Sequence, residues 1–264
     1  MLYTIITCSF LHIIRRVIGG WRLNDFGLRL SKVKEAIIRG VVVPAPLFVI
    51  QCVAALIAID YILAQMKEYL GNMDFYTALL LAFIGYPLLT ILWTSFHEEF
   101  RFRGYMQGLL EECMDSTVAL IAVAIFFAYS HFWVYMRFSL SPLMLLASLT
   151  YILLPALILG LEYTAYKNII VTITTHTICD AISVWITITY YYQRVIEGTT
   201  FTIILIAVFA ILAYIKRQEV IEFKNLCQRK LASNRTSIIV GIVIGAYLLA
   251  ITYTLNTYIK QTLS

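Results

Sequence analysis

The stretch Trp93-Thr94-Ser95-Phe96-His97-Glu98-Glu99-Phe100-Arg101-Phe102-Arg103-Gly104 sets two adjacent carboxylates and two arginines at the end of a long apolar run. That run, at about 75–96, is long enough to cross a hydrocarbon core as a helix, which takes roughly 20 residues. Ionisable groups are expensive in such a setting, so several together mark a functional site by default. One stretch thus points to a membrane-helix fold and places chemistry at the end of one span.

Composition extends the fold reading to the whole chain. Of 264 residues, 61% are hydrophobic and only 13% charged, and the mean hydropathy is +0.84, outside the range of soluble globular domains. Further apolar runs lie at about 41–64, 117–135, 140–161, 168–192, 200–215 and 236–258. A shorter one at about 2–14 lacks a small-residue cleavage site and is followed by Arg15 and Arg16, so it reads as an anchor. The expected fold class is all-α, a polytopic transmembrane helix bundle of about eight spans. With no internal repeat or long linker, residues 1–264 read as a single multi-span membrane domain.

The net charge of +5 comes mainly from two basic segments, Arg15 to Arg39 and Lys216 to Arg235. Six expected spans separate them, so both can lie on the cytoplasmic side, as the positive-inside rule requires. This pattern reads as topology in a plasma-membrane protein whose partner is the lipid bilayer, not as nucleic-acid binding. Residues 15–40 interleave apolar and basic positions and suit an amphipathic segment in the membrane interface. The five cysteines have no CxxC spacing and read as packing residues, and no cofactor signature is present.

Helix geometry relates the polar positions. If Glu98 and His131 lie on two helices joined by a turn near 114–115, each is about 25 Å from that turn at ~1.5 Å per residue. From a turn near 164–165 the same rise puts His176 at about 17 Å and Asp180 at about 23 Å, four residues apart on one face. The depths bring Glu98, His131, His176 and Asp180 within reach of one another. Taken singly, each has a plainer account. A lone intramembrane histidine commonly ties helices by hydrogen bonding, and Glu111, Glu112 and Asp115 read as solvated helix termini.

The run Glu98-Glu99-Phe100-Arg101-Phe102-Arg103 has the form EExxxR, Phe127-Ala128-Tyr129-Ser130-His131 the form FxxxH, and His176-Thr177-Ile178-Cys179-Asp180 the form HxxxD. In order and spacing these resemble the CAAX-type prenyl endopeptidase and bacteriocin-processing (CPBP, or Abi) family of intramembrane proteases, over a catalytic core at about 75–190. The resemblance implies an intramembrane endopeptidase in which Glu98 activates water as general base, assisted by His131. His176 and Asp180 would hold the oxyanion or orient the tetrahedral intermediate. Many members carry Asn where Asp180 stands, and an ionised Asp cannot donate a hydrogen bond, so Asp180 would need to be protonated or to act by orienting His176.

Spacing divides the glutamate pair. Glu99 and Arg103 are four apart and can pair, which leaves Glu98 on a neighbouring face for chemistry. Arg101, three residues after Glu98, brings a second cation whose direction the sequence leaves open. The same residues also admit a metal-dependent protease, although HExxH is absent because arginine stands where the second histidine belongs. They also admit a non-catalytic scaffold, an immunity factor, or a transporter with a proton relay. The substrate expected of the protease is a membrane-associated protein or peptide, prenylated in one version, reaching a site open to the cytoplasmic side.

Overall fold

The computed structural model describes residues 22–57, 73–135, 142–231 and 237–245. The expected anchor at 2–14, the segment 15–21 and the end of the last apolar run lie outside these residues. Among the described residues the secondary structure is helical throughout, as the all-α reading expects. Two short 3-10 turns, Leu23–Phe26 and Leu30–Lys32, lead into α1 (Val33–Val42), followed by α2 (Ala45–Ile57). Next comes α3, which runs from Phe75 to Cys113, then α4 (Ser116–Tyr135), α5 (Pro142–Tyr166), α6 (Ile169–Tyr191), α7 (Val195–Ile215) and α8 (Arg217–Lys230).

Helix α3 is continuous, because each junction between its parts keeps right-handed helical dihedrals. It starts at Asp74, whose carboxylate accepts from the Tyr76 and Thr77 amides at 3.0 Å each and from the Thr77 hydroxyl at 2.6 Å. Those donors, the Thr77 hydroxyl foremost, hold the Asp74 carboxyl below its usual range. The helix stops at Met114, which is extended. Three stretches widen to π-helix: Leu81–Gly85, Thr90–Thr94 and Phe100–Gln107. The first has a local cause. Pro87 cannot donate a backbone hydrogen bond, and a wider turn just before it, where the Tyr86 amide reaches back to Leu81, absorbs the misfit. The third begins directly after the glutamate pair, a common place for such turns.

By length and composition, α6 and α7 can each cross a membrane, and Leu30–Val42 with Ala45–Val53 forms a third span if that pair, bent by 46°, counts as one. The bend falls at Pro44, which ends the ladder of α1. Elsewhere, Ser116–His131 and Tyr151–Tyr166 are shorter apolar helices. Helix α6 is the hub, packed against α1, α2, α3, α5 and α7. Its outer neighbour α7 leaves Ile203, Ile204, Val208 and Ile211 uncovered, as a lipid-facing helix does.

Two close approaches fix the bundle. A Cβ at Gly40 would come within 2.6 Å of the Val171 carbonyl oxygen and 2.7 Å of Thr174 Cβ, so glycine lets α1 lie directly on α6. The Gly40 carbonyl there accepts from the Thr175 hydroxyl at 3.0 Å. At the second, a Cβ on Gly104 would lie 2.7 Å from the Phe26 carbonyl oxygen. The 15–40 segment is therefore not wholly interfacial. Phe26 is fully buried with its ring stacked 5.0 Å from Phe100, and Gly27, at φ +82°, accepts from the Ile169 amide at 2.9 Å. Leu30, Ile37 and Ile38 stay exposed and keep the amphipathic character expected of the segment.

Gly40→Ala is expected to lower the thermal unfolding midpoint in detergent, corresponding to about 1–3 kcal/mol of overpacking. Gly85→Ala, where the new methyl meets only the flexible end of Leu81 at 3.3 Å, is expected to leave the midpoint nearly unchanged in the same assay.

Candidate active site

Helix α3 delivers Glu98, Glu99 and Arg103, the turn at 114–115 sends α4 back alongside with His131, and α6 supplies His176 and Asp180. The second turn falls at Lys167 and Asn168, slightly later than expected. Lys167 adopts a left-handed conformation at φ 49°, and the Asn168 side chain caps α6 by accepting from the Ile170 amide at 3.0 Å. All six residues singled out in the sequence meet in one place.

Glu99 and Arg103 are both fully buried and pair at 3.0 Å, one helical turn apart. Arg103 also donates to the Ala156 carbonyl at 3.1 Å, and its guanidinium lies 4.5 Å from the centre of the Phe127 ring. The same Glu99 oxygen that Arg103 holds accepts from His176 Nδ1 at 2.8 Å. His131 is held differently: its Nδ1 donates to the Phe127 carbonyl at 2.9 Å, since that oxygen can only accept. Both imidazoles are thereby held through Nδ1, with Nε2 turned towards Glu98.

Glu98 Oε2 lies 3.7 Å from His131 Nε2 and 3.8 Å from His176 Nε2, and it makes no direct hydrogen bond. Asp180 Oδ2 is 3.7 Å from His176 Nε2. The side chains of Glu98 and His131 are 19% and 32% exposed, whereas that of Glu99 is 0% exposed, so the two adjacent glutamates occupy different environments. Arg101 stacks its guanidinium 4.3 Å from the Phe102 ring centre and forms no ion pair with Glu98. Phe127, the aromatic of FxxxH, packs against both imidazoles with ring centroids 4.7 Å and 5.9 Å away. Among the described residues no group of three His, Cys, Asp or Glu side chains is arranged to hold a metal ion.

Other polar groups extend the site in ways the sequence reading missed. Glu162 on α5 is fully buried and accepts from the Thr175 hydroxyl at 2.9 Å, immediately before His176 in the chain. Gln107, one turn beyond Arg103, donates to the Gly160 carbonyl and the Thr164 hydroxyl at 2.9 Å each. Glu111 corrects an expectation: it is not a solvated terminus, because its side chain is 5% exposed, accepts from Thr164 at 2.7 Å and pairs with Lys167. The recoverable signal was spacing. Glu99, Arg103, Gln107 and Glu111 recur every four residues on α3 opposite Ala156, Gly160 and Thr164 on α5, giving a polar seam between two apolar helices.

Arg103→Met would leave the buried Glu99 carboxylate without its cation, and a loss of about 3–5 kcal/mol is expected. Differential scanning fluorimetry in detergent is the check. Arg103→Lys should recover little of it, since an ammonium cannot span Glu99 and the Ala156 carbonyl with a planar fork.

Residues 79–182, which hold all three motifs and all six residues, match the family model described as Type II CAAX prenyl endopeptidase Rce1-like. Comparisons with curated proteins and with solved structures gave no match. The matched family is one of membrane-embedded CAAX-type proteases. Over residues 79–182, in motif order and in site geometry, the chain is thus similar to the Rce1-like CAAX-type prenyl endopeptidases.

Proposed function

We propose that this protein is an intramembrane endopeptidase that hydrolyses a peptide bond of a membrane-associated protein or peptide, with Glu98 as the general base. The observation that carries this reading is the Glu98 carboxylate oxygen, buried without a hydrogen bond and faced by two imidazole Nε2 atoms at 3.7 and 3.8 Å. Such separations are too long for direct hydrogen bonds and suit groups that share a small third partner such as water. A water held there is deprotonated by Glu98 as its oxygen attacks the scissile carbonyl, with His131 Nε2 assisting. Protonated Glu98 then returns the proton to the leaving amine.

His176 serves the oxyanion. Its Nδ1 is committed to Glu99, so its Nε2 edge faces the reacting carbonyl, and with a proton there it donates to the developing negative charge. Asp180, 3.7 Å from that Nε2, acts by orienting the ring. Glu99 and Arg103 touch no substrate in this scheme and act as positioning residues. The basic segments favour a plasma-membrane topology with the site open to the cytoplasmic side. A prenylated CAAX-type tail and an unprenylated membrane peptide remain the two substrate classes, and a farnesylated and an unmodified version of one peptide distinguish them.

The test is cleavage of a membrane-peptide library by detergent-purified protein. Glu98→Gln is expected to lower the cleavage rate by about 10²–10⁴, and treatment of the wild type with chelator should leave the rate unchanged. Loss with chelator would redirect the reading to a metal-dependent protease, and equal products from wild type and Glu98→Gln would sink the role of Glu98. Asp180→Asn is expected to keep activity within roughly tenfold, because an amide can still orient the imidazole. A drop as large as that of Glu98→Gln would assign Asp180 a direct part in the chemistry.

A further inference from the structure

A cleft of about 630 Å³ lies away from the glutamate site, between the start of α1, the end of α5 at Tyr166, and the corner where α7 passes into α8. Its walls carry four cations from two distant parts of the sequence: Lys32, Lys34 and Arg39 on one side, Lys216 on the other. Three carboxylates also line it. Glu35 is paired with Arg39 at 2.5 Å and Glu219 with Lys216 at 3.0 Å, so these four charges cancel locally. Lys32 and Lys34 make no ion pair among the described residues, and the third carboxylate, Glu222, makes none either. The cleft is left with two uncompensated ammonium groups against one carboxylate.

The surroundings point to the source of its ligand. Val33 and Ile38, within the wall, and Ile37, Tyr214 and Ile215 beside it are large apolar side chains that the protein leaves uncovered. A site for a free soluble anion has no need of an apolar border, whereas a lipid headgroup arrives with acyl chains that cover one. The two strands of chain involved are also the two basic segments, which the charge pattern sets at one membrane surface. Basic pockets between membrane helices at that level bind anionic headgroups.

We propose that this cleft binds the headgroup of an anionic phospholipid, with the phosphate against Lys32 and Lys34 and the acyl chains along Ile37, Ile38 and Ile215. The bound lipid bridges α1 to the α7–α8 corner, which line the cleft from two sides. Through α1 it also supports the site, because Gly40, on the same helix as Lys34 and Arg39, accepts the Thr175 hydroxyl next to His176. The proposal does not depend on proteolysis, so it can fail or stand independently of the reading of Glu98.

The test uses the full-length protein, stripped of lipid in mild detergent and titrated with phosphatidylglycerol or phosphatidylcholine, with bound lipid counted by native mass spectrometry. One phosphatidylglycerol should be retained with a roughly 30-fold preference over phosphatidylcholine, the contribution expected of two lysines near an anionic surface. Lys32→Ala/Lys34→Ala should abolish that preference. Lys224→Ala/Arg229→Ala, which removes the same charge from exposed positions on α8 outside the cleft, should keep it. Equal retention of the two lipids by the wild type would overturn the proposal without recourse to any variant. So would an equal loss in both double variants, which indicates diffuse surface attraction, or displacement of the lipid by millimolar inorganic phosphate, which assigns the cleft to a soluble anion.

Discussion

A fully buried arginine and a fully buried glutamate one helical turn apart hold the centre of this molecule. Neither charge is tolerable alone in an apolar bundle, so each fixes the other, and their remaining hydrogen-bonding capacity reaches outward to tie three helices. Arg103 reaches the α5 backbone at Ala156, and Glu99 accepts a hydrogen bond from His176 Nδ1 on α6. The aromatic ring of Phe127 on α4 fills the space beside the guanidinium. Because Glu99 is committed to this structural work, its neighbour Glu98 keeps an oxygen that no protein group bonds directly.

That division explains why two adjacent carboxylates are useful where one would not suffice. Neighbouring positions on a helix point about 100° apart, so one can face the interior of the bundle and the other the space between α4 and α6. The inward glutamate sets the position and tautomer of an imidazole, and the outward one is left for proton transfer in the reaction proposed above. The π-helical stretch Phe100–Gln107 follows immediately, and the seam continues through Gln107 and Glu111 towards the turn at Lys167. An apolar bundle gains its register from such a seam, since van der Waals packing of lipid-like side chains by itself discriminates weakly between alternative alignments.

The same economy applies to the close helix contacts. Gly40 and Gly104 allow backbone to approach backbone, and in both cases a backbone carbonyl is the atom that a side chain would strike, that of Val171 at Gly40 and that of Phe26 at Gly104. The segment preceding α1 is thus docked on α3 and α6 while the exposed faces of α1 and α7 remain apolar. A lipid seated in the basic cleft beside α1 would act on an element already hydrogen-bonded to the residue next to His176.

Much of this was legible in the sequence because two of its signals are local. Apolar runs of span length dictate helices, since a backbone in hydrocarbon must satisfy its own hydrogen bonds, and fixed helical rise sets Glu98 and His131 at one depth once the turn at 114–115 is read. The four-residue spacings of Glu99 with Arg103 and His176 with Asp180 were likewise readable as shared faces. What the sequence could not determine depends on contacts between distant segments. Whether Arg101 turned towards Glu98 or onto the Phe102 ring, and whether Glu111 met water or Lys167, was decided only in the folded bundle. The burial of Glu162 against Thr175 and the insertion of Phe26 beneath α3 are of the same kind. Periodicity fixes which face of a helix a residue occupies, but only the assembled bundle determines what that face meets.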